Sequence, residues 1–224
     1  MTPRIVVVGS ANTDMVVQVG HLPKPGETVL GGTFATVQGG KGANQAVAAQ
    51  RLGADVTFVA RLGRDDFGQR AYEAYQAEGL NLDFLAWDDE TPSGIASITV
   101  DAKGENCIAV ASGANARLTP DDVAAAEAQI AQADCLLLQL EVPLPTVEAA
   151  AKLAQKHGVR VILNPAPAAE LPAELLAMVD ILTPNETELA MLVQAAPAAD
   201  IVQTAVAYSE RLGLDVLIVT LGEQ

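Results

Sequence analysis

The feature that most constrains the fold is the regular alternation of short apolar runs with longer segments of helical periodicity. The runs that we predict as core strands are 5–8, 56–60, 135–140, 159–163, 181–182 and 216–220. The helices predicted between them end near Gly53, Gly79, Ala133, His157 and Leu212. Strands that alternate with helices favour right-handed crossovers and a mostly parallel sheet covered by helices. The sequence therefore predicts an α/β fold.

Two regions interrupt this alternation. Between residues 15 and 37, short apolar runs such as Thr28-Val29-Leu30 are separated by Pro and Gly, which is typical of a meander of small strands. Residues 95–100 and 106–111 are strand-like and are joined by Asp101-Ala102-Lys103-Gly104, which has the composition of a turn. We expect the meander and the hairpin to pair into one small sheet that stands apart from the core.

A glycine-rich turn opens the first predicted helix, with the sequence Gln38-Gly39-Gly40-Lys41-Gly42-Ala43-Asn44. Glycine lets the backbone approach a ligand closely, and a helix start offers unpaired N–H groups and the positive end of the helix dipole. Lys41 adds a cation, and Asn44 adds an amide that donates and accepts. The turn therefore suits an oxygen-rich ligand, either a sugar or a phosphate. The alternative is a turn that only allows close packing of the helix.

Two familiar phosphate-binding motifs do not match this turn. The loop of the nucleotide triphosphatases has Gly-Lys followed by Ser or Thr, whereas Lys41 is followed by Gly42. The dinucleotide fingerprint has a third glycine, whereas this sequence continues into Gln45. Neither class of nucleotide-binding protein is supported.

Polar residues follow several predicted core strands, at the positions where α/β proteins place their ligand chemistry. Because the carboxyl ends of parallel strands share one edge, we expect these side chains to converge on one cleft. The residues are Asn12, Asp14, Glu141, Asn185, Glu188, Thr220 and Gly222. With Lys41 and Asn44 they combine acceptors and donors in a way that matches adjacent hydroxyls. Glu141 with Glu188 alternatively suits a hydrated Mg²⁺.

Each of these residues also has a purely local interpretation. Asp14 can cap a turn, and Glu141 can be a solvated loop residue. Asn185 and Glu188 have the spacing of an N-cap and its capping-box partner. Asp65 and Asp66 follow another core strand, and we predict that one of them is a helix N-cap; for Asp65 we predict capping rather than a catalytic role.

Composition restricts the partners and the compartment. Thirteen basic against 28 acidic residues give a net charge of −15, which repels nucleic acid. A phosphorylated ligand then needs a metal ion and local donors to offset the field. Cys107 and Cys135 lie in apolar runs and are predicted to be buried free thiols of a reducing compartment. With a strand already beginning at Arg4 and no apolar run of membrane-spanning length, we expect a cytoplasmic chain that has no signal peptide and binds no membrane.

Several motifs resemble those of the ribokinase branch of the sugar-kinase family. They are Asn12-Thr13-Asp14, Pro25-Gly26-Glu27-Thr28, Gly39 to Asn44, Gly113 to Ala116, Asn164 to Ala168 and Thr183 to Glu188. The resemblance implies a ribokinase-like α/β core, with a mostly parallel sheet flanked by helices, and a small β-sheet lid. We assign 1–14, 38–93 and 112–224 to the core and 15–37 and 94–111 to the lid. In the family the lid covers the sugar and often forms the contact of a homodimer.

The same resemblance implies an ATP-dependent kinase that phosphorylates the 5-hydroxyl of D-ribose. Its sugar-binding residues correspond to Asn12, Asp14, Gly40, Lys41, Gly42, Asn44 and Glu141. Asn185 corresponds to a residue near the ATP phosphates, and Thr220 and Gly222 to the start of the nucleotide loop. Glu188 corresponds to a residue that positions Mg²⁺ through water.

The sequence departs from the family in one respect that affects catalysis. The family base is the Asp of a Gly-Ala-Gly-Asp motif, and this motif does not occur in the 224 residues. We therefore assign no catalytic residue within the chain and expect the base beyond Gln224.

The adenine pocket and the loop that binds K⁺ in the family are not matched either, so K⁺ is expected only for a longer protein. We therefore expect a C-terminally truncated kinase with little or no activity. The alternatives are another sugar or nucleoside kinase of the family and a non-catalytic module for sugar binding or dimerisation.

Overall fold

The computed structural model describes residues 2–193 and 200–222. Its strands are β1 (Arg4–Val8), β2 (Asn12–Gln18), β3 (Thr33–Gly39), β4 (Asp55–Gly63), β5 (Leu85–Asp88), β6 (Gly94–Val100), β7 (Asn106–Ala111), β8 (Cys135–Leu138), β9 (Arg160–Leu163), β10 (Ile181–Leu182) and β11 (Val216–Leu217). Its helices are α1 (Lys41–Arg51), α2 (Asp66–Ala77), α3 (Pro120–Ala125), α4 (Glu127–Ile130), α5 (Leu144–His157), α6 (Ala173–Leu176), α7 (Glu186–Leu192) and α8 (Ile201–Leu212), with a 3₁₀ helix at Gly113–Arg117.

The central sheet has the strand order β11-β10-β9-β8-β1-β4-β5, and all of its neighbouring strands are parallel. Its central strand β1 is covered on both faces, because its successive residues enter different apolar clusters. Val7 belongs to the cluster that includes residues of α1 and α2, whereas Val6 and Val8 belong to the cluster that includes residues of α3 to α8. The prediction of a parallel sheet flanked by helices is confirmed.

The small sheet has the order β3-β2-β6-β7 and contains both parallel and antiparallel pairs. The meander and the hairpin therefore pair with one another, as predicted. The prediction of a strand at Thr28-Val29-Leu30 is wrong, since these residues lie outside the ladder. The chain passes from β1 to β2 through Gly9, Ser10 and Ala11, so the first strand of the small sheet begins beside the end of a core strand.

The prediction of two buried thiols is also wrong. Cys107 is exposed and Cys135 is of intermediate burial. Cys107 lies on β7, an edge strand whose residues are all exposed. An apolar run identified this strand but did not show that neither of its faces is covered.

Several element ends differ from the predictions. The helix expected to reach Ala133 is broken at Ala126, whose φ of −94° and ψ of 10° leave helical geometry, so that α3 and α4 are separate. The strand expected to reach Leu140 ends at Leu138, and Leu140 N instead donates to Ala166 O at 2.9 Å. Strand β5 was not predicted, although Phe84-Leu85-Ala86-Trp87 is a short apolar run that ends at Asp88. None of the helices in the part of the chain described here is long and apolar enough to cross a bilayer.

Candidate active site

The glycine turn packs directly on the connection between β1 and β2. Gly40 has a φ of +92°, and a Cβ at this position would lie 2.7 Å from Asn12 N. A Cβ on Gly42 would lie 2.6 Å from the backbone of Gly9 and Ser10. Both glycines are therefore required for the close contact between two backbone segments, as in the packing interpretation of the turn.

The N–H groups at the start of α1 are paired within the protein. Lys41 N donates to Glu141 Oε2 at 3.0 Å, and Gly42 N donates to Ser10 Oγ at 3.3 Å. The next N–H, of Ala43, donates to Ser10 O at 2.8 Å. The expectation that this turn offers unpaired N–H groups to a ligand is therefore wrong for these three positions. A carboxylate of the protein already occupies the positive end of the helix.

Glu141 connects three distant parts of the chain. Its Oε2 accepts from Ser10 Oγ at 2.6 Å as well as from Lys41 N. The interpretation of Glu141 as a solvated loop residue is wrong, because it joins the end of β1, the start of α1 and the segment after β8. Ser10, which is fully buried, was missed because a single Ser next to a glycine has no motif of its own.

Asn12 is held by a second buried amide. The Asn115 side chain accepts from Ala11 N at 2.8 Å and donates to Ala11 O at 3.1 Å and to Asn12 Oδ1 at 2.7 Å. Asn12 is 4% exposed, and a Cβ on Gly94 would lie 2.3 Å from both amides. Asn115 was not among the predicted site residues, although it lies in the Gly113 to Ala116 motif that supports the family resemblance.

Asp14 carries a carboxylate for which no hydrogen-bond partner is found within residues 2–193 and 200–222. Its three carboxyl atoms lie 2.3 Å from where a Cβ of Gly39 would be, so the absence of a side chain at Gly39 makes room for the carboxylate. Burial raises the pKa of Asp14, and the negative charge of Glu141 raises it further. Two carboxylates thus lie close to each other on this side of the glycine turn.

Three of the seven predicted sugar-binding residues line one of two cavities, and Asp14, Gly40, Lys41 and Gly42 line neither. The first, which we call the cleft, has a volume of about 450 Å³ and is lined by Asn12, Glu141 and Val110 among others. Asn44 instead lines a second cavity of about 470 Å³, which we call the groove. Asn12 and Glu141 are therefore brought together, and Asn44 lies on a different cavity wall.

The predicted nucleotide residues form a separate group. Asn185 N donates to Glu188 Oε2 and Glu188 N donates to Asn185 Oδ1, both at 2.8 Å, so the predicted capping box at the start of α7 is present. Asn185 also pairs with Thr220 in an isolated parallel bridge, and Gly222, at a φ of +63°, follows. No hydrogen bond or ion pair between described residues joins this group to Asp14, Lys41 or Glu141.

The Glu188 carboxylate, which we predicted to position a metal ion, already uses one of its oxygens in a hydrogen bond. Glu188 is 9% exposed, and one of its oxygens accepts from Asn185 N. The described residues contain no group of three or more His, Cys, Asp and Glu side chains placed to hold a metal ion. A magnesium ion that keeps its waters needs only one or two protein carboxylates, so the remaining oxygen of Glu188 fits that kind of ion.

The expected position of the catalytic base is beyond Gln224. Gln224 itself lies outside the residues that the structure describes, which end at Gly222. Two statements therefore stay predictions. Residues 2–193 and 200–222 contain no catalytic base, and the base follows Gln224.

Comparison with known proteins identifies the family. A sequence model of the pfkB family carbohydrate kinases matches residues 2–224. This chain belongs to the pfkB family. Its curated relatives include a ribokinase of Haemophilus influenzae, which is 46% identical over 99% of this chain and 73% of its own length. A deoxyribokinase of Salmonella typhi is 37% identical over 98% of this chain and 72% of its own length.

Solved structures of pfkB-type kinases have the same fold. The ribokinase of Arabidopsis thaliana, solved with ribose and ATP, matches with a TM-score of 0.85 and 38% identity. The match covers 99% of this chain and 73% of that chain. The prediction of a ribokinase-like fold is thereby confirmed, and the chain spans about three quarters of the relatives' length.

Proposed function

We propose that this pfkB-family chain carries the sugar site of an ATP-dependent kinase for the 5-hydroxyl of D-ribose. The proposal rests on the Glu141 carboxylate, which accepts a hydrogen bond from Lys41 N at the start of α1, and on Asp14, whose pKa is raised in part by the charge of Glu141. Two acidic groups repel a phosphate, whereas they accept hydrogen bonds from the hydroxyls of a neutral sugar. The glycine turn alone was compatible with either a sugar or a phosphate, and the two carboxylates favour the sugar.

In this proposal the residues around the cleft have complementary roles. Asp14 accepts from sugar hydroxyls, and Lys41 donates through its ammonium group. Glu141 fixes the turn through Ser10 and Lys41 N, and its remaining oxygen accepts from the sugar. Gly40 and Gly42 hold the turn against β1. Asn12 contributes an amide group on the cleft, and Asn44, at the start of α1, contributes an amide group from the side of the groove.

The nucleotide is assigned to the second group of residues. Asn185 retains an amide N–H₂ after its oxygen has accepted from Glu188 N, and Thr220 and Gly222 are exposed beside it. This set of donors fits an anion. ATP would supply the transferred phosphoryl group, and Mg²⁺ held through water by Glu188 would offset the acidic field of the chain. K⁺ belongs to the proposal only for a longer protein.

The 224 residues hold no Gly-Ala-Gly-Asp motif that would supply the family base, which we place beyond Gln224. Loss of a positioned base typically lowers the rate about 10²–10⁴-fold. We therefore propose that this polypeptide binds ribose and turns it over slowly or not at all. A coupled assay of ATP consumption with ribose tests this, and normal turnover would refute the assignment of the base.

A second candidate is a kinase for a different sugar, and the similarity to a deoxyribokinase favours this alternative. Calorimetry with D-ribose, 2-deoxy-D-ribose and a non-hydrolysable ATP analogue separates the candidates. Tighter binding of the deoxy sugar favours the second candidate, and sugar binding without nucleotide binding favours a non-catalytic module.

The proposal also includes a lid at 15–37 and 94–111, a homodimer formed through this lid and a cytoplasmic location.

A further inference from the structure

Asn115 lies in the 3₁₀ helix that follows β7, and the orientation of its amide is set by two backbone groups. Its Oδ1 accepts from Ala11 N at 2.8 Å, and its Nδ2 donates to Ala11 O at 3.1 Å. A backbone N–H can only donate and a backbone carbonyl can only accept, so these partners determine which end of the Asn115 amide carries the oxygen. The second N–H of the same amide is directed to Asn12 Oδ1, 2.7 Å away.

The orientation of Asn115 in turn determines that of Asn12. Only the oxygen of the Asn12 amide can accept from Asn115, because the amide nitrogen carries two hydrogens and is a donor. Asn12 Nδ2 makes no hydrogen bond within residues 2–193 and 200–222, and it keeps some contact with solvent. Since Asn12 lines the cleft, the group that it has available for a ligand is a donor.

The two amides are tightly enclosed. Asn12 is 4% exposed and Asn115 is 1% exposed. A Cβ on Gly94, the first residue of β6, would lie 2.3 Å from Asn115 Nδ2 and from Asn12 Oδ1, so the absence of a side chain there makes room for the pair. A rotated Asn12 amide would place its N–H₂ against the N–H of Asn115, and two buried donors would face each other without an acceptor, which is unfavourable.

We propose that Asn115 is a positioning residue for the cleft, which it supplies with an N–H donor by fixing the amide of Asn12. Glu141 lines the same cavity and provides acceptor oxygens. The cleft then combines a fixed donor with an acceptor, which matches a ligand whose hydroxyls both accept and donate. The role in sugar binding rests on the proposed function, whereas the orientation of the two amides does not.

Solvent exchange of the side-chain amide protons, followed by nuclear magnetic resonance on the full chain without ligand, tests the orientation. Asn12→Ala identifies the Asn12 signals by their loss, and proximity to the Ala11 N–H identifies those of Asn115. The Asn115 protons, which are both hydrogen-bonded, should exchange about tenfold more slowly than those of Asn12. Equal rates, or slower exchange at Asn12, overturn the proposal whatever the cleft binds.

Calorimetric titration with D-ribose tests the consequence for binding. At about pH 8, Asn115→Asp keeps an acceptor for Ala11 N but has no donor, so the introduced carboxylate attracts the Asn12 N–H₂ and leaves Asn12 Oδ1 for the ligand. Ribose binding should weaken about tenfold, equivalent to about 1.4 kcal/mol. Asn81→Asp adds the same charge beside Thr57, near the start of β4, and is the control that should leave the affinity unchanged.

A double variant distinguishes positioning from a general structural role. In the Asn12→Ala background there is no amide to orient, so the further change Asn115→Asp should not weaken ribose binding again. A second tenfold loss in this background contradicts the proposal, as does wild-type affinity in the Asn115→Asp single variant, and circular dichroism verifies that each variant is folded. If the unaltered chain does not bind ribose, the proposed function fails, and the exchange rates still decide the orientation.

Discussion

The residues around the cleft and those around Asn185 are built in opposite ways. At the cleft, Glu141 bonds to Ser10 and Lys41, which are 131 and 100 positions away in the sequence. At the start of α7, Asn185 and Glu188 bond to each other across three positions. The first arrangement exists only when the sheet has formed, whereas the second is available to an isolated helix turn. Ligand binding at the cleft should therefore depend on global folding, and the capping box on local geometry.

The two regions also differ in charge. Glu141 lines the cleft, and its negative charge adds to burial, the larger cause, in raising the pKa of Asp14. Around Asn185 the nearby Glu188 already accepts a backbone N–H, and amide and backbone donors remain for a ligand. This contrast is the physical basis for assigning the sugar to one region and the phosphates to the other.

The largest expected effect is that of removing the carboxylate that joins the three segments. Glu141→Ala should destabilise the fold by about 3 kcal/mol or more, because it removes two hydrogen bonds to a charged group at roughly 1.5–3 kcal/mol each. Urea unfolding measures this change. Glu148→Ala on α5, which loses only a surface pair with Lys152, is the control and should cost about 0.5 kcal/mol or less. Similar costs for the two variants would mean that the Glu141 contacts contribute little.

The next effect concerns the backbone contact under the turn. Gly42→Ala should cost about 2–3 kcal/mol, because its Cβ would lie 2.6 Å from backbone atoms that cannot rotate away. Gly20→Ala, where a Cβ meets nothing within 4 Å, should be neutral or stabilising by up to about 1 kcal/mol. Thermal unfolding of both variants checks the difference, and an unchanged melting temperature for Gly42→Ala contradicts the packing described for the turn.

A third prediction uses the raised pKa of Asp14. The ionised carboxylate is the better acceptor for sugar hydroxyls, so ribose affinity at the cleft should be highest above the raised pKa. As the pH falls through that pKa, which lies above the ordinary value of 3.8 for this side chain, the affinity should drop. A fall of about tenfold, or about 1.4 kcal/mol, is expected. Asp14→Asn should remove this pH dependence, and a variant that keeps the wild-type profile would show that another group is responsible.

The smallest effect is expected at the capping box. Asn185→Ala should destabilise by about 1 kcal/mol, as should Thr119→Ala at the similar capping box of α3. Neither variant should change ribose affinity, because both losses are local. If Asn185→Ala weakens ribose binding while Thr119→Ala does not, the separation of the two regions is wrong.

The sequence was sufficient where the interactions are local. The capping box of Asn185 and Glu188 was predicted from spacing, and an N-cap was predicted at Asp65 or Asp66. The structure contains the capping box and places the N-cap at Asp65. Asp65 accepts from Gly68 N and from Ser93 N, each at 2.8 Å, and although its burial opposes the change, these hydrogen bonds lower its pKa. The alternation of strands and helices likewise predicted the parallel sheet.

The sequence was insufficient where the partner lies far away in the chain. Nothing around Ser10 or Asn115 showed that their side chains would hold Glu141 and Asn12, because these contacts arise only when β1, β2 and β8 are assembled. For the same reason the N–H groups of the glycine turn were expected to be free. Because strand ends share one edge of the sheet, we predicted that Asn12 and Glu141 would meet, and they line one cavity. The same reasoning did not show that Asn44 would line a different cavity.

The most direct test of the central claim is a crystal structure of the chain grown with D-ribose. The account predicts a sugar in the cleft, with hydroxyl oxygens about 2.5–3.0 Å from the Asp14 carboxylate and within hydrogen-bonding distance of Asn12. A cleft that stays free of sugar at saturating ribose, or a phosphate bound there in preference to the sugar, would contradict it.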